Sequence, residues 1–218
     1  MSENIESIIK LIKKECKEYQ NPIVTEIANL TNNTFKVLIS CLLSLRTRDT
    51  VTEKASKRLF DVADTPEKIL ELNIKNIEKL IYPVGFYKTK AKRLKEICKI
   101  IIEKYNGKVP DSEEELLKLK GVGRKTMNIV MTYGFNKKDF IAVDTHVHRI
   151  SNRLGWVKTK NPEQTEIALK KVIQKKHWRD INDLLVTFGQ NVCVPVSPFC
   201  SKCPVNRYCQ KINVKNHR

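Results

Sequence analysis

No stretch of this 218-residue chain is apolar enough to cross a membrane. The longest apolar-looking run, about Val37 to Leu45, is interrupted by Ser40, Cys41 and Ser44. It falls far short of the roughly 20 residues a span needs. The start, MSENIESIIKLIKKECKEY, has neither the continuous apolar core nor the small-residue cleavage site of a secretory signal. An intracellular protein is therefore expected, and in a reducing compartment seven cysteines do not read as a disulfide framework. Convincing alternating strands are missing, as are low-complexity linkers and repeats of 20 to 50 residues. Composition alone thus places no domain boundary. Acidic residues are scarce: Asp and Glu number 24 against 41 Lys and Arg, a formal net charge of +17. A surplus of that size points to a polyanionic partner, with nucleic acid ahead of an anionic membrane surface.

What is present is helical period. Ile5, Ile8, Ile9 and Ile12 fall on one helix face, as do Phe35, Leu38, Ile39 and Leu42. Leu94, Ile97, Cys98, Ile101 and Ile102 repeat the pattern. Helix-start signals recur at Asp64-Thr65-Pro66-Glu67, at Pro110-Asp111-Ser112-Glu113 and at Asn161-Pro162-Glu163. Phe140 to Val143 reads equally as a short strand or a buried loop. The chain is expected to be all-α, with many short helices.

Four cysteines crowd into one short segment. Cys193, Cys200, Cys203 and Cys209 follow the pattern C-x6-C-x2-C-x5-C, and Pro195, Pro198 and Pro204 keep the segment from forming one helix. Four thiolates suit either zinc or a [4Fe–4S] cluster. Zinc sites more often come as two tight pairs, so one tight pair with two wide arms favours iron–sulfur. Backbone N–H groups left over in such a loop are available to the sulfurs. Cys16, Cys41 and Cys98 lie on or beside apolar helix faces and read as core.

The stretch LKGVGRKTMNIV, residues 119–130, carries the second signal. A helix over 111–120 and another over 125–133 are predicted on either side of Gly121-Val122-Gly123-Arg124. The glycines allow positive φ and a close approach of another backbone. Hairpin N–H groups at the mouth of a helix form an anion site, which fits a nucleic-acid phosphate without sequence preference. Lys125 sits where the helix dipole and Arg124 disfavour a further positive charge, which are conditions for a nucleophilic amine. It serves equally as a second phosphate contact. Asp144, in IAVDTHVHRISNRLG, is the candidate carboxylate partner and also a helix cap. Arg149 and Arg153 are spaced one turn apart, either for phosphate contacts or as a solvated face. His146, His148, His177 and His217 show no metal-ligand pairing and read as structural or surface residues.

LKGVGRKT, then VDTHVHR, then the cysteine pattern, in this order, resemble endonuclease III, a helix–hairpin–helix DNA glycosylase family. The resemblance runs from about Phe35 to Cys209. It implies two all-α lobes. One is a six-helix barrel over residues 27–138. The other joins residues 1–26 to 139–218 and carries a [4Fe–4S] cluster in the loop 193–209. It implies Lys125 as nucleophile, Asp144 as essential carboxylate, Gly121, Gly123 and Arg124 at the phosphate-gripping hairpin, and the four cysteines as cluster ligands. The cluster is expected to be structural and DNA-sensing rather than directly catalytic.

The implied activity is bifunctional: removal of oxidised pyrimidines and β-elimination 3′ to the abasic site. The implied partner is double-stranded DNA carrying damaged bases or abasic sites. No membrane partner is expected, and the protein is expected to be a monomer in the cytoplasm or on the nucleoid. Arg46 stands where the family usually has a glutamine that fills the gap left by a flipped base. Phe86 stands where it usually has an apolar wedge; a core residue after a turn is the other reading. Two further readings are a monofunctional mismatch glycosylase, whose members lack the hairpin lysine, and a non-enzymatic DNA-binding iron–sulfur protein.

Overall fold

A computed structural model describes residues 2–218, and no strand occurs among them. The run 140–143 is buried loop. No helix among the described residues is long and apolar enough to cross a membrane. The chain divides into two compact units, residues 23–137 and residues 1–22 with 138–218.

The first unit holds α2 (Ile23–Thr31), α3 (Thr34–Ser44), α4 (Asp49–Val62), α5 (Pro66–Glu71), α6 (Ile74–Ile81), α7 (Tyr87–Tyr105), α8 (Glu113–Lys118) and α9 (Arg124–Ile129). α3 is its axis. Val37, Leu38, Ile39 and Leu43 are fully buried, so apolar side chains cover it on every side and α2, α4, α7 and α9 pack around it. Its start is fixed by Asn33, whose side chain accepts from the Lys36 amide. Thr65 caps α5 in the same way, with Pro66 at the first helical position. Ser112 caps α8 through the Glu115 amide.

Two predicted helices end early. α8 stops at Lys118 rather than 120, because Leu119 is already extended and Gly121 turns left-handed. α9 keeps α-helical bonds only to Ile129, and Val130–Gly134 continues as one wider π turn in which the Phe135 amide reaches the Val130 carbonyl. Gly134 packs against Thr34, whose hydroxyl donates to the Gly134 carbonyl at 2.8 Å.

The second unit holds α1 (Ser2–Cys16), α10 (Thr145–Leu154), α11 (Pro162–Val172) and α12 (Ile181–Asn191). Ile5, Ile8, Ile9 and Ile12 turn inward against Val147, Ile150, Leu154, Leu169, Leu185 and Phe188. Each of these fully buried side chains contributes about 1.5–3 kcal/mol relative to exposure. The N-terminal stripe therefore closes a core otherwise built from residues after 138. Asn161 caps α11 and Pro162 starts it.

Candidate functional site

In the unit of residues 23–137, the hairpin joins α8 to α9. Its two glycines do different jobs. Gly121 takes φ +89°, where a side chain is strained, and a Cβ there would lie 2.7 Å from Cδ and Nη1 of Arg93. Gly123 is extended, with φ −98°, and a Cβ on it would meet nothing within 4 Å. Only one of the two glycines thus uses the left-handed freedom expected of both. The other leaves open space at the helix mouth. Val122 is buried beneath the turn, and its amide bonds to the Leu119 carbonyl at 2.9 Å. Arg124 is exposed. Lys125 is half-buried in the first turn of α9, close enough to the buried Cys41 thiol for its charge to act on it. Burial pushes that thiol up to about 12, and the Lys125 charge pulls the other way.

Arg46 and Phe86 are brought together in the same unit. The Arg46 guanidinium lies 5.7 Å from the centre of the Phe86 ring, within cation–π range. Phe86 is 63% exposed, which rules out the core reading. Both residues take positive φ, 53° and 58°, a conformation costing on the order of 1 kcal/mol or more for a residue with a side chain.

The surroundings fix this strained pair. A Cβ on Gly85 would come within 2.5 Å of the Arg46 carbonyl oxygen, so only glycine allows the two loops to approach. The Gly85 amide donates to Thr47 Oγ1 at 3.1 Å. Beneath them lies Lys90, only 5% exposed. Its ammonium donates to the Leu43 carbonyl at 2.8 Å, the Leu45 carbonyl at 2.5 Å and Thr47 Oγ1 at 3.3 Å. Three N–H donors meet three acceptors at the C-terminal end of α3, where helix carbonyls lack partners. Burial first, and the Arg93 charge second, pull the amine down to about 8, so it is still a cation at neutral pH. The sequence reading missed Lys90. The available signal was its place at the head of the buried stripe Lys90, Leu94, Ile97 and Ile101 on α7.

In the unit of residues 1–22 and 138–218, Asp144 caps α10. Its Oδ1 accepts from the His146 amide at 2.8 Å and the Val147 amide at 2.9 Å. Arg149 and Arg153 do not form a solvated face. Arg149 Nη2 donates to the carbonyls of Gly189 at 3.2 Å and Cys193 at 2.8 Å. Arg153, 7% exposed, donates to the carbonyls of Val194 at 2.8 Å and Pro195 at 2.7 Å, and to Cys193 Sγ at 3.4 Å. Nη2 of Arg149 is thus turned onto backbone carbonyls that lead into the cysteine loop. His148 pairs with Thr165 Oγ1 at 2.6 Å, and His177 with Glu6 at 2.8 Å, which makes both structural.

Cys193, Cys200, Cys203 and Cys209 line one narrow cavity, floored by Ile150, Leu154, Phe188 and Val205. The short 3₁₀ turns Cys200–Lys202 and Asn206–Tyr208 aim the later three. The Lys211 amide points at Cys209 Sγ at 3.4 Å. Burial pushes the Cys203 thiol up to about 11, and Cys193, Cys209 and Cys200 each add to the rise, so the four sulfurs feel one another. Among the described residues no group of three or more His, Cys, Asp or Glu is set to hold a single metal ion.

Residues 39–175 match the HhH-GPD superfamily of base excision DNA repair proteins. The chain is 55% identical to endonuclease III of Thermotoga maritima over 176 residues, which is 81% of this chain and 82% of that protein. The chain belongs to this family. It is also 46% identical to endonuclease III-like protein 1 of Gallus gallus over 171 residues, 78% of this chain but 61% of that longer protein. A solved structure described as a trapped endonuclease III–DNA covalent intermediate, an estranged-adenine complex, superposes with a TM-score of 0.83 at 32% identity. The match covers 97% of this chain and 96% of that one. The all-α helix–hairpin–helix fold expected from the motifs is the fold found. The chain is a base excision DNA glycosylase and abasic-site lyase, and its family binds an iron–sulfur cluster.

Proposed function

We propose that the chain removes oxidised pyrimidines from duplex DNA and cuts the strand by β-elimination, with Lys125 as nucleophile. The observation that carries this reading is a half-buried lysine in the first helical turn after a glycine hairpin, in a chain of the endonuclease III family. The lesion must leave the stack, which costs a few kcal/mol, least for a base that is already poorly paired. Exposed Arg46 and Phe86, stacked and held in strained conformations, are suited to fill and wedge the vacated place. Arg46 has five donors and no acceptor, so the orphaned base is read through its acceptors. The exposed Arg124 and the open face of Gly123 are assigned to the phosphate backbone.

In the chemical step the neutral Lys125 amine attacks C1′ and the bond from C1′ to the base nitrogen breaks, its electron pair leaving with the base. The amine gives up one proton and the bond from C1′ to the ring oxygen breaks, the oxygen taking a proton, which leaves a protonated Schiff base. That iminium acidifies C2′. Removal of a C2′ proton breaks the bond from C3′ to its oxygen, and the 3′ phosphate departs. Water then hydrolyses the Schiff base and frees Lys125. Asp144 is assigned the stabilisation of positive charge developing on the sugar, together with proton transfer.

Cys193, Cys200, Cys203 and Cys209 are proposed to hold a [4Fe–4S] cluster. Four thiols around one apolar-floored cavity, with N–H donors aimed at Cys193 and Cys209, fit a cluster's donor set. A single zinc ion would need its sulfurs converged to about 3.8 Å, from a bond of about 2.3 Å in a tetrahedron. Lining a cavity is the better match to a larger group. When bound, the cluster ties the C-terminal loop together, and no step of the reaction passes through it.

The test is borohydride trapping on a duplex carrying one thymine glycol, with wild type and Lys125→Ala side by side. A covalent protein–DNA adduct is expected in wild type alone. Base release without an adduct would overturn the bifunctional reading, and neither product would overturn the choice of lesion.

A further inference from the structure

The cations of α7 form a group that the reaction above does not use. Lys88, Thr89, Lys92, Arg93, Glu96 and Lys120 line a cleft of about 290 Å³. Four of the six are cationic and one is acidic, which leaves three positive charges in surplus. Glu96 is taken by Lys120 at 3.2 Å. Lys88 and Lys92, both exposed, have no acidic partner among the described residues. Elsewhere on the same helix the usual arrangement holds, with Lys99 paired to Glu103. Like charges gathered without acids cost folding energy through their mutual repulsion, and an anion removes that cost.

We infer that this cleft is a second phosphate site, taking the DNA backbone beside the phosphate gripped by the hairpin. The inference rests on the reading above that duplex DNA is the substrate. Its geometric support is the shared wall: the Arg93 side chain that lines the cleft lies directly over Gly121, and Arg93 Nε is buried there without a hydrogen-bond partner. Lys88 and Lys92 are one turn apart, about 6 Å along the helix axis, so they present charge as a row. The cleft contains neither Asn nor Gln and has no aromatic platform. It is built to hold charge and not to read or stack bases, which is the chemistry of a backbone contact.

The experiment measures binding to a duplex with a tetrahydrofuran abasic analogue across a series of salt concentrations. Wild type is compared with Lys88→Ala/Lys92→Ala and with Lys99→Ala/Lys104→Ala, a pair that removes the same charge from the same helix outside the cleft. If each lysine neutralises one phosphate, the plot of log affinity against log salt should flatten by about 1.8, at about 0.9 per phosphate, in the first pair only. An unchanged slope in the first pair, or equal flattening in both pairs, would overturn the site, the latter by showing diffuse charge alone. A wild type with no salt dependence would overturn the DNA-binding reading itself, and this site with it.

Discussion

Around the hairpin, in residues 23–137, the cations are exposed or half-buried at the surface: Arg124 and Lys125 at the start of α9, Arg46 against Phe86, Lys88 and Lys92 in the cleft. In the unit built from residues 1–22 and 138–218, Arg149 and Arg153 are drawn inward onto carbonyls of Gly189, Cys193, Val194 and Pro195. The sequence spacing of the two sets is the same, since Lys88 and Lys92 are one turn apart and so are Arg149 and Arg153. What differs is the surface each helix covers. α10 packs on α12 and on a proline-broken loop whose carbonyls have no helix or strand to join, and a planar guanidinium with five donors satisfies several at once. Charge near a functional loop therefore divides by what the backbone around it lacks.

The comparison sharpens first at Asp144, which is both a cap and an assigned catalytic group. Asp144→Asn keeps a capping side chain of equal quality. It is expected to melt within a few degrees of wild type while base release falls on the order of 10²-fold or more. Asp144→Ser should behave alike. A variant that loses stability and activity in proportion would show that the residue is only a cap.

The next contrast sets Arg153→Ala against Arg124→Ala. Removing Arg153 strands the carbonyls of Val194 and Pro195, at about 1–3 kcal/mol each. Thermal unfolding should move down by several degrees, and the visible absorbance of the proposed cluster should decay faster under chelator. Arg124→Ala should leave melting nearly unchanged and weaken DNA binding, with a shallower salt dependence. Equal effects of the two on melting would break the division between inward and outward cations.

Lys90 is the exception that tests the rule in the other direction, an inward cation in the hairpin's own unit. Lys90→Met keeps the length of the side chain and removes all three donors. Discrimination between opposite bases should flatten, and cleavage of a single lesion should fall about tenfold, because Arg46 and Phe86 lose their anchor. In a double-mutant cycle, Arg46→Ala should cost less in the Lys90→Met background than in wild type. The sign with pH is also fixed. The folded amine titrates near 8 and the unfolded one near 10.5, so between those values the unfolded chain holds the extra proton, and this group stabilises the fold as pH rises. The buried thiols of Cys41 and Cys98, pushed up to about 12, act oppositely above about 9. The difference between wild type and Lys90→Met isolates the lysine, and it should appear in denaturant titrations as a slope present only in wild type.

Much of the fold was readable because local signals agreed with tertiary demand. Thr65, Ser112 and Asn161 cap helices where a capping residue stands before acids or proline, and the isoleucine stripe of α1 packs as its period requires. The π turn at Val130–Gly134 was not readable, since one wider turn leaves no periodic trace. The inward roles of Arg149 and Arg153 were hidden because their partners lie some 40 residues away. Lys90 could have been suspected as a charge heading an apolar stripe, yet its acceptors lie more than 40 residues earlier.

The most direct measurement is the site of covalent attachment. Wild-type protein trapped by borohydride on a lesion-bearing duplex would be digested with nuclease and protease, and the peptide carrying the sugar remnant sequenced by mass spectrometry. The remnant is expected on Lys125, within the peptide that follows the glycine hairpin. A remnant on Lys90, on Lys120 or at the N-terminal amine would contradict the assignment of the nucleophile.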